Sequence, residues 1–441
     1  MRSVVKFIGI GAGAIVLAGA GALVWATSAP TLDPIDTATP PTFSDEEIER
    51  GELLALVGDC SACHTAPGGE DYAGGFALPT PFGTIYSTNL TPDPETGIGS
   101  WSYDAFARAM REGIDREGNH LYPAFPYDSF TKTRDEDLQA LYAYFMTRTP
   151  VVAEDQENAL PFPFSFRPLL AGWKLLFLDQ TPFTPDPALD DEQNRGAYLA
   201  ASLGHCTACH SPRNAFGAVV ADRAYEGGEA EGWLAPPLAD HSISPVAWTL
   251  DDYADYLFDG WSEAHGIAGG PMTKVADHLY FADEDDVFAI AAWFAAITPE
   301  QSGDERDAII AEAAALDWPP VEGTLYDEEI TDPTLIAGRD VFADKCAECH
   351  KERISDTQPI SLGLTYAVNG PSPQNLFNAV RYGIAPPYGV STRKMQAIEL
   401  SDEDLAAVAA YVRWHFSDAP EWDGLQAAAT AHREAKEAGT H

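Results

Sequence analysis

One pentapeptide pattern occurs three times in this chain of 441 residues: Cys60-Ser-Ala-Cys63-His64, Cys206-Thr-Ala-Cys209-His210 and Cys346-Ala-Glu-Cys349-His350. Together the three copies use all six cysteines, so none remains for a disulfide or a separate metal site. At this Cys and His content, chance would supply on the order of 0.002 CxxCH matches per chain. Two thiols two residues apart can bond to the two vinyl groups of one porphyrin, and the following His reaches the iron as proximal ligand. Zinc would need its ligands grouped in fours, whereas these motifs lie about 140 residues apart and each carries its own His. The chain is therefore expected to bind three covalent haem c groups through Cys60, Cys63, Cys206, Cys209, Cys346 and Cys349. Their irons would be ligated by His64, His210 and His350.

The surrounding sequence repeats with the motifs. Ahead of each lies a helical stretch with a glycine, at Arg50-Gly51, Arg195-Gly196 and Ala337-Gly338. Late in each unit comes a second helix with an acidic first turn, beginning at Asp135, Asp283 and Asp402, and carrying Tyr144, Trp293 and Tyr411 at matching positions. Carboxylates there suit the helix dipole. The glycine would let the two helices approach and the aromatic would cover it. The predicted architecture is all-α, with three tandem cytochrome c-like domains at 45–150, 190–298 and 333–418, following a membrane or signal helix within 1–29. Residues 425–441, Ala-rich and charged, read as a solvated helix or tail. The connector 160–178 is unusually apolar and aromatic, which suits burial between domains or a surface for membrane, quinone or partner.

Phe7–Ala26 is a nearly unbroken apolar run preceded by Arg2 and Lys6. It is long enough to span a bilayer once, with its amino end in the cytoplasm. A retained anchor and a cleaved signal peptide both fit, and both place the body at the periplasmic face of a bacterial inner membrane. A formal net charge of −42 argues against nucleic-acid binding.

Methionine is a common sixth ligand that raises a haem potential. Met272 lies shortly before the last helix of the second domain, and Met395 occupies the corresponding region of the third. In the first domain Phe125 stands where the Met is expected and cannot bind iron. For that haem, water or no protein ligand, His120 and Met110 all stay open.

The run from Pro81 to Trp101 (PFGTIYSTNLTPDPETGIGSW), the run His120–Tyr127 (HLYPAFPY) and Gly232-Trp-Leu-Ala-Pro-Pro resemble the triheme cytochrome c subunits of membrane-bound bacterial dehydrogenases. The resemblance spans about residues 46–418. It implies an electron-transfer subunit that is not itself the enzyme. A separate catalytic subunit, a quinoprotein, flavoprotein or molybdenum enzyme, would oxidise the substrate, and electrons would pass to ubiquinone or a downstream cytochrome. Phe125 departs from the Met of many alcohol-dehydrogenase subunits, so relatives paired with molybdenum hydroxylases fit at least as well. Two other classes stay open: a haem peroxidase with an open iron in the first domain, and a cytochrome subunit of a terminal oxidase or sulfur-oxidising system.

Overall fold

A computed structural model describes residues 28–317, 330–350, 361–390 and 394–437. The 1–29 helix expectation falls almost wholly outside them. Among the described residues, no helix is long and apolar enough to cross a membrane. The chain divides into two compact units. The first comprises residues up to Ala55, Cys60–Thr184 and Phe216–Ala218; the second comprises Leu56–Asp59, Pro185–Ala215 and the chain from Val219 onward.

In the first unit α1 (Asp45–Val57) leads into the short α2 (Cys60–His64). The expected capping box starts α1: the Glu47 amide donates to Ser44 Oγ at 3.2 Å, and the Ser44 amide donates back to Glu47 Oε2 at 2.8 Å. A hairpin, β1 (Ala77–Thr80) and β2 (Gly83–Tyr86), precedes α3 (Tyr103–Glu112), α4 (Tyr127–Phe130), α5 (Asp135–Met146) and the connector helix α6 (Leu169–Phe177).

The second unit repeats the plan twice. First come α7 (Asp191–Ala201), α8 (Thr207–His210), the hairpin β3 (Gly228–Ala230) and β4 (Trp233–Ala235), α9 (Leu250–Asp259), a two-residue pair β5 (Trp261–Ser262) and β6 (Gly266–Ile267), α10 (Pro271–Leu279) and α11 (Glu284–Ala296). After α12 (Gly303–Asp317) come α13 (Pro333–Lys345), α14 (Ala347–His350), α15 (Tyr366–Asn369), α16 (Gln374–Tyr382), α17 (Asp402–Phe416) and α18 (Leu425–Glu437).

Each copy is held by the crossing that the repeats imply. A Cβ on Gly51 would strike the Ala140 carbonyl of α5 and come within 2.7 Å of Tyr144 Cβ; one on Gly338 would strike the Ala407 carbonyl of α17 and come within 2.8 Å of Tyr411 Cβ. Gly196 meets Ala289 of α11 in the same way. Only a residue without a side chain lets the backbones touch. Arg50 pairs with Asp137, and Arg195 grips Asp286 through two nitrogens at 2.7 and 2.6 Å. The third copy has Ala337 in place of the arginine.

Two expectations are corrected. The chain is mostly helical rather than all-α, because three two-stranded antiparallel pairs interrupt it among the described residues. In the second hairpin Glu231 and Gly232 both take positive φ, the backbone of a tight two-residue turn whose twist matches the strands. The second correction concerns α18, which is not simply solvated. Ala429 is fully buried in the core around Phe342 and Tyr411. His432 is buried too, between Asn378 Oδ1 at 2.7 Å and Arg381 at 3.0 Å.

Candidate haem-binding sites

The hairpins explain themselves at the proximal histidines. Two residues past β2, the Thr88 carbonyl accepts from His64 Nδ1–H at 2.7 Å. One residue past β4, the Pro236 carbonyl accepts from His210 Nδ1–H at 2.8 Å. A carbonyl can only accept, so the proton sits on Nδ1 and the Nε2 lone pair is left for a metal. Burial pulls both imidazoles below their ordinary pKa, with the carbonyl bonds pushing back. A neutral, oriented imidazole is the form that ligates iron. In the third copy His350 is likewise pulled down by burial. Its Nδ1 is buried and has no hydrogen-bond partner among the described residues.

The thiols fit the same group. Burial pushes Cys206 up to about 12 and Cys346 up to about 11, each with a further push from the second cysteine of its motif. A buried thiol in apolar surroundings is kept neutral, as suits a sulfur held beside a porphyrin edge. Donor set and tautomer at the first two CxxCH turns therefore fit haem c.

A polar network missed from sequence backs the first carbonyl. Asn89, adjacent to Thr88 and buried, donates to the Val151 carbonyl at 2.8 Å and accepts from the Thr91 amide at 2.9 Å. Its own amide donates to Asp155 at 3.2 Å. Its place in the run Pro81–Trp101 was the only sequence signal, because Asn in a loop commonly bonds nearby backbone.

On the distal side the copies share a device. A helix ends at a left-handed glycine (Gly113, Gly260) or one of positive φ (Gly383). The next residue then bridges back: Ile114 to His120, Trp261 to Ile267, and Ile384 to Met395. Five residues beyond the bridge stand Phe125 and Met272, so those two are equivalent in register. Met395 instead occupies the bridge itself. There it packs, partly buried, on the cluster that contains Cys346 and Ala347. The start of α10, which carries Met272, lies against β4, because a Cβ on Gly270 would meet the Trp233 indole at 2.5–2.7 Å.

Around the first copy, Met110 is buried on α3. His120 is buried too, and its Nδ1 lies 3.0 Å from Lys174 Nζ. Lys174 also donates to the Glu112 and Gly113 carbonyls, both at 2.6 Å. These carbonyls end α3, where a cation is favoured. Burial holds the Lys174 ammonium down at about 8, against the pull of Glu112 and Asp115. Three donors meeting three acceptors make His120 Nδ1 an acceptor and put its proton on Nε2.

The sequence matches the family model "Cytochrome c" over residues 48–149 and "Cytochrome C oxidase, cbb3-type, subunit III" over 333–412. It is 37% identical over 393 residues to the gluconate 2-dehydrogenase cytochrome c subunit of Pantoea cypripedii, covering 84% of this chain and 86% of the relative. To the fructose dehydrogenase cytochrome subunit of Gluconobacter japonicus it is 33% identical, covering 86% and 82%. With a nicotinate dehydrogenase subunit of Pseudomonas putida it shares 44% identity over 94% of this chain, and it spans only 34% of that relative. The oxidase description reaches only the third copy, whereas the dehydrogenase relatives run along most of the chain. The cytochrome c domains imply covalently bound haem c. The chain belongs to the family of dehydrogenase cytochrome c subunits: it is an electron-transfer cytochrome, and substrate oxidation resides on another subunit.

Proposed function

We propose that the chain is a triheme carrier of three modules, 45–150, 190–298 and 333–418, at the periplasmic face of the inner membrane. In this reading it passes electrons from a dehydrogenase catalytic subunit to ubiquinone or a downstream cytochrome, and the apolar N-terminal run Phe7–Ala26 tethers it. The observation that carries the reading is the pair of proximal histidines, each with Nδ1 tied to the carbonyl that follows a hairpin and Nε2 free to ligate. Haem c would supply the one-electron change at iron. The chain's own residues hold that group: the cysteine pairs fix it, His64, His210 and His350 ligate it, and Met272 and Met395 close the second and third sites. At the first site Phe125 offers no donor. His120, if it ligated through Nε2, would turn an Nδ1–H toward the Lys174 ammonium, donor against donor, so we assign water or no protein ligand there, with Met110, buried on α3, the alternative.

The higher identity to the nicotinate dehydrogenase relative, against 33% for the cytochrome subunit of a quinone-dependent alcohol dehydrogenase of Gluconobacter oxydans, favours a partner that oxidises a nicotinate-like substrate over one that oxidises a simple alcohol. Haem assay of the purified chain should return three haems per polypeptide, and a redox titration should resolve two high-potential components and one lower. Two haems per chain, or three equal potentials, would overturn this assignment.

A further inference from the structure

The connector helix α6 is amphipathic in the wrong sense for water. Its one charged residue, Lys174, points inward to the end of α3, and Leu170, Trp173 and Phe177 share that packed face. Leu169, Gly172, Leu175 and Leu176, at i, i+3, i+6 and i+7, form the other face and are exposed. Leu175 is 87% exposed and Leu176 72%, and ahead of the helix Phe162 is 84% exposed. A single exposed Leu is unremarkable; a contiguous apolar face marks an interaction site.

The charge pattern indicates what covers it. Acidic residues number 68 of 441, so a stretch as long as 160–178 would on average hold about three. This stretch holds none, and its two charges, Arg167 and Lys174, are both basic. With Lys174 turned inward, the exposed face carries leucine and phenylalanine with Arg167 and no acid, which suits an anionic lipid interface.

Position points the same way. The apolar run Phe7–Ala26 enters the described residues at Ser28, and the chain then fastens to the segment 108–118. Arg108 donates to the Pro30 carbonyl at 2.6 Å, the Leu32 amide to the Arg116 carbonyl at 2.9 Å, and Thr31 to the Glu117 carbonyl at 3.2 Å. Lys174 fastens to Glu112 and Gly113 of that segment, and Arg167 lies 3.9 Å from Asp115. Residues 30–32, which follow the apolar run in sequence, and the exposed helix are therefore fastened to one strip of the first module.

We propose that α6 and the preceding phenylalanines form a second membrane contact, lying in the interfacial layer of the bilayer with Phe162, Leu169, Leu175 and Leu176 toward the acyl chains. At nine residues the helix is too short to span, so it lies on the membrane and does not cross it. The proposal rests on the tethered reading for its nearness to lipid, and the test separates the two. The full haem-loaded chain would carry a bimane label at Phe162→Cys or, separately, at Leu175→Cys, with Glu136→Cys as an exposed polar control. Each would be bound to phosphatidylglycerol–phosphatidylethanolamine liposomes containing doxyl lipids, with flotation measured in parallel. The labels at 162 and 175 should each lose about three-fold in intensity while the control changes little. If the protein floats but neither label is quenched more than the control, the tether stands and the second contact is overturned. It is equally overturned if the labels respond only when the dehydrogenase catalytic subunit is added, which would make the face a protein interface, or if the protein does not float.

Discussion

The first and second modules share their proximal halves and differ in their distal halves. Both cross two helices at a glycine, both lock an Arg–Asp pair across that crossing, and both finish a hairpin with a carbonyl on His Nδ1. Opposite that shared half, the second places Met272 in the first turn of α10, just past Gly270, which is pressed against Trp233. The first presents Phe125 at the same register, and beside it a lysine from outside the repeat fixes His120. The scaffold is thus common property, while the residue at this one register, Met272 or Phe125, and its neighbours differ, and under the proposed function that difference would set the two redox sites apart.

The largest effect expected is on the shared half. Gly51→Val and Gly196→Val each drive a side chain into a backbone carbonyl, which should cost about 3 kcal/mol or more. Each should deplete haem in its own copy, read by haem stoichiometry and thermal unfolding; tolerance in either would break the equivalence of the crossings. Next is a buried cluster in the second module. Asp252 accepts from Ser262 at 2.8 Å and from Arg306 at 2.9 Å, near His265. Burial would raise its carboxyl, but the nearby His265 imidazole and hydrogen bonds from the Thr249 amide and hydroxyl overcome that and hold it well below the ordinary range. Its folded pKa lies below its unfolded one, so its stabilisation is present above about pH 4 and fades as pH falls through the folded value. Asp252→Asn should cost about 3 kcal/mol at neutral pH and flatten the acid limb of a stability–pH curve. An unchanged acid limb would remove Asp252 from that role.

The comparison itself is tested by exchanging the distal residues. Met272→Ala should lower one haem potential by on the order of 100 mV, and Phe125→Met should raise another, both read by spectroelectrochemistry. If Phe125→Met leaves all potentials unchanged, the register equivalence does not extend to the iron. The smallest effect concerns a clamp within the second unit. Asn375 donates to the Leu234 carbonyl and accepts from the Leu234 amide at 2.8 and 2.9 Å, while Gln374 and Asn378 both donate to the Gly232 carbonyl. Asn375→Ala should cost about 1 kcal/mol and loosen hydrogen exchange in β3 and β4, with no matching change at β1 and β2.

The helix crossings were legible because a glycine and an aromatic at fixed repeat positions leave a local signature. The hairpins were not. Their strands are three or four residues long, β1 contains Pro79, and neither hairpin shows the alternation that marks a half-buried strand. They form to return a carbonyl to a histidine, and sequence spacing does not display that requirement. Lys174 was equally hidden. A lysine in an apolar connector reads as a solubilising group, and its acceptors are backbone carbonyls more than 50 residues away, a contact only the folded chain creates. His432 in α18 was misread as solvated for the same reason.

By itself the sequence determined the cofactor chemistry and the repeat and pointed to the candidate proximal ligands, because covalent attachment needs particular atoms at fixed spacing along a short turn. Tertiary structure alone decided which imidazole nitrogen carries a proton, that Met395 sits at the bridge and not at the register of Met272, and which face of the connector is left bare. Those properties depend on partners brought together from distant parts of the chain.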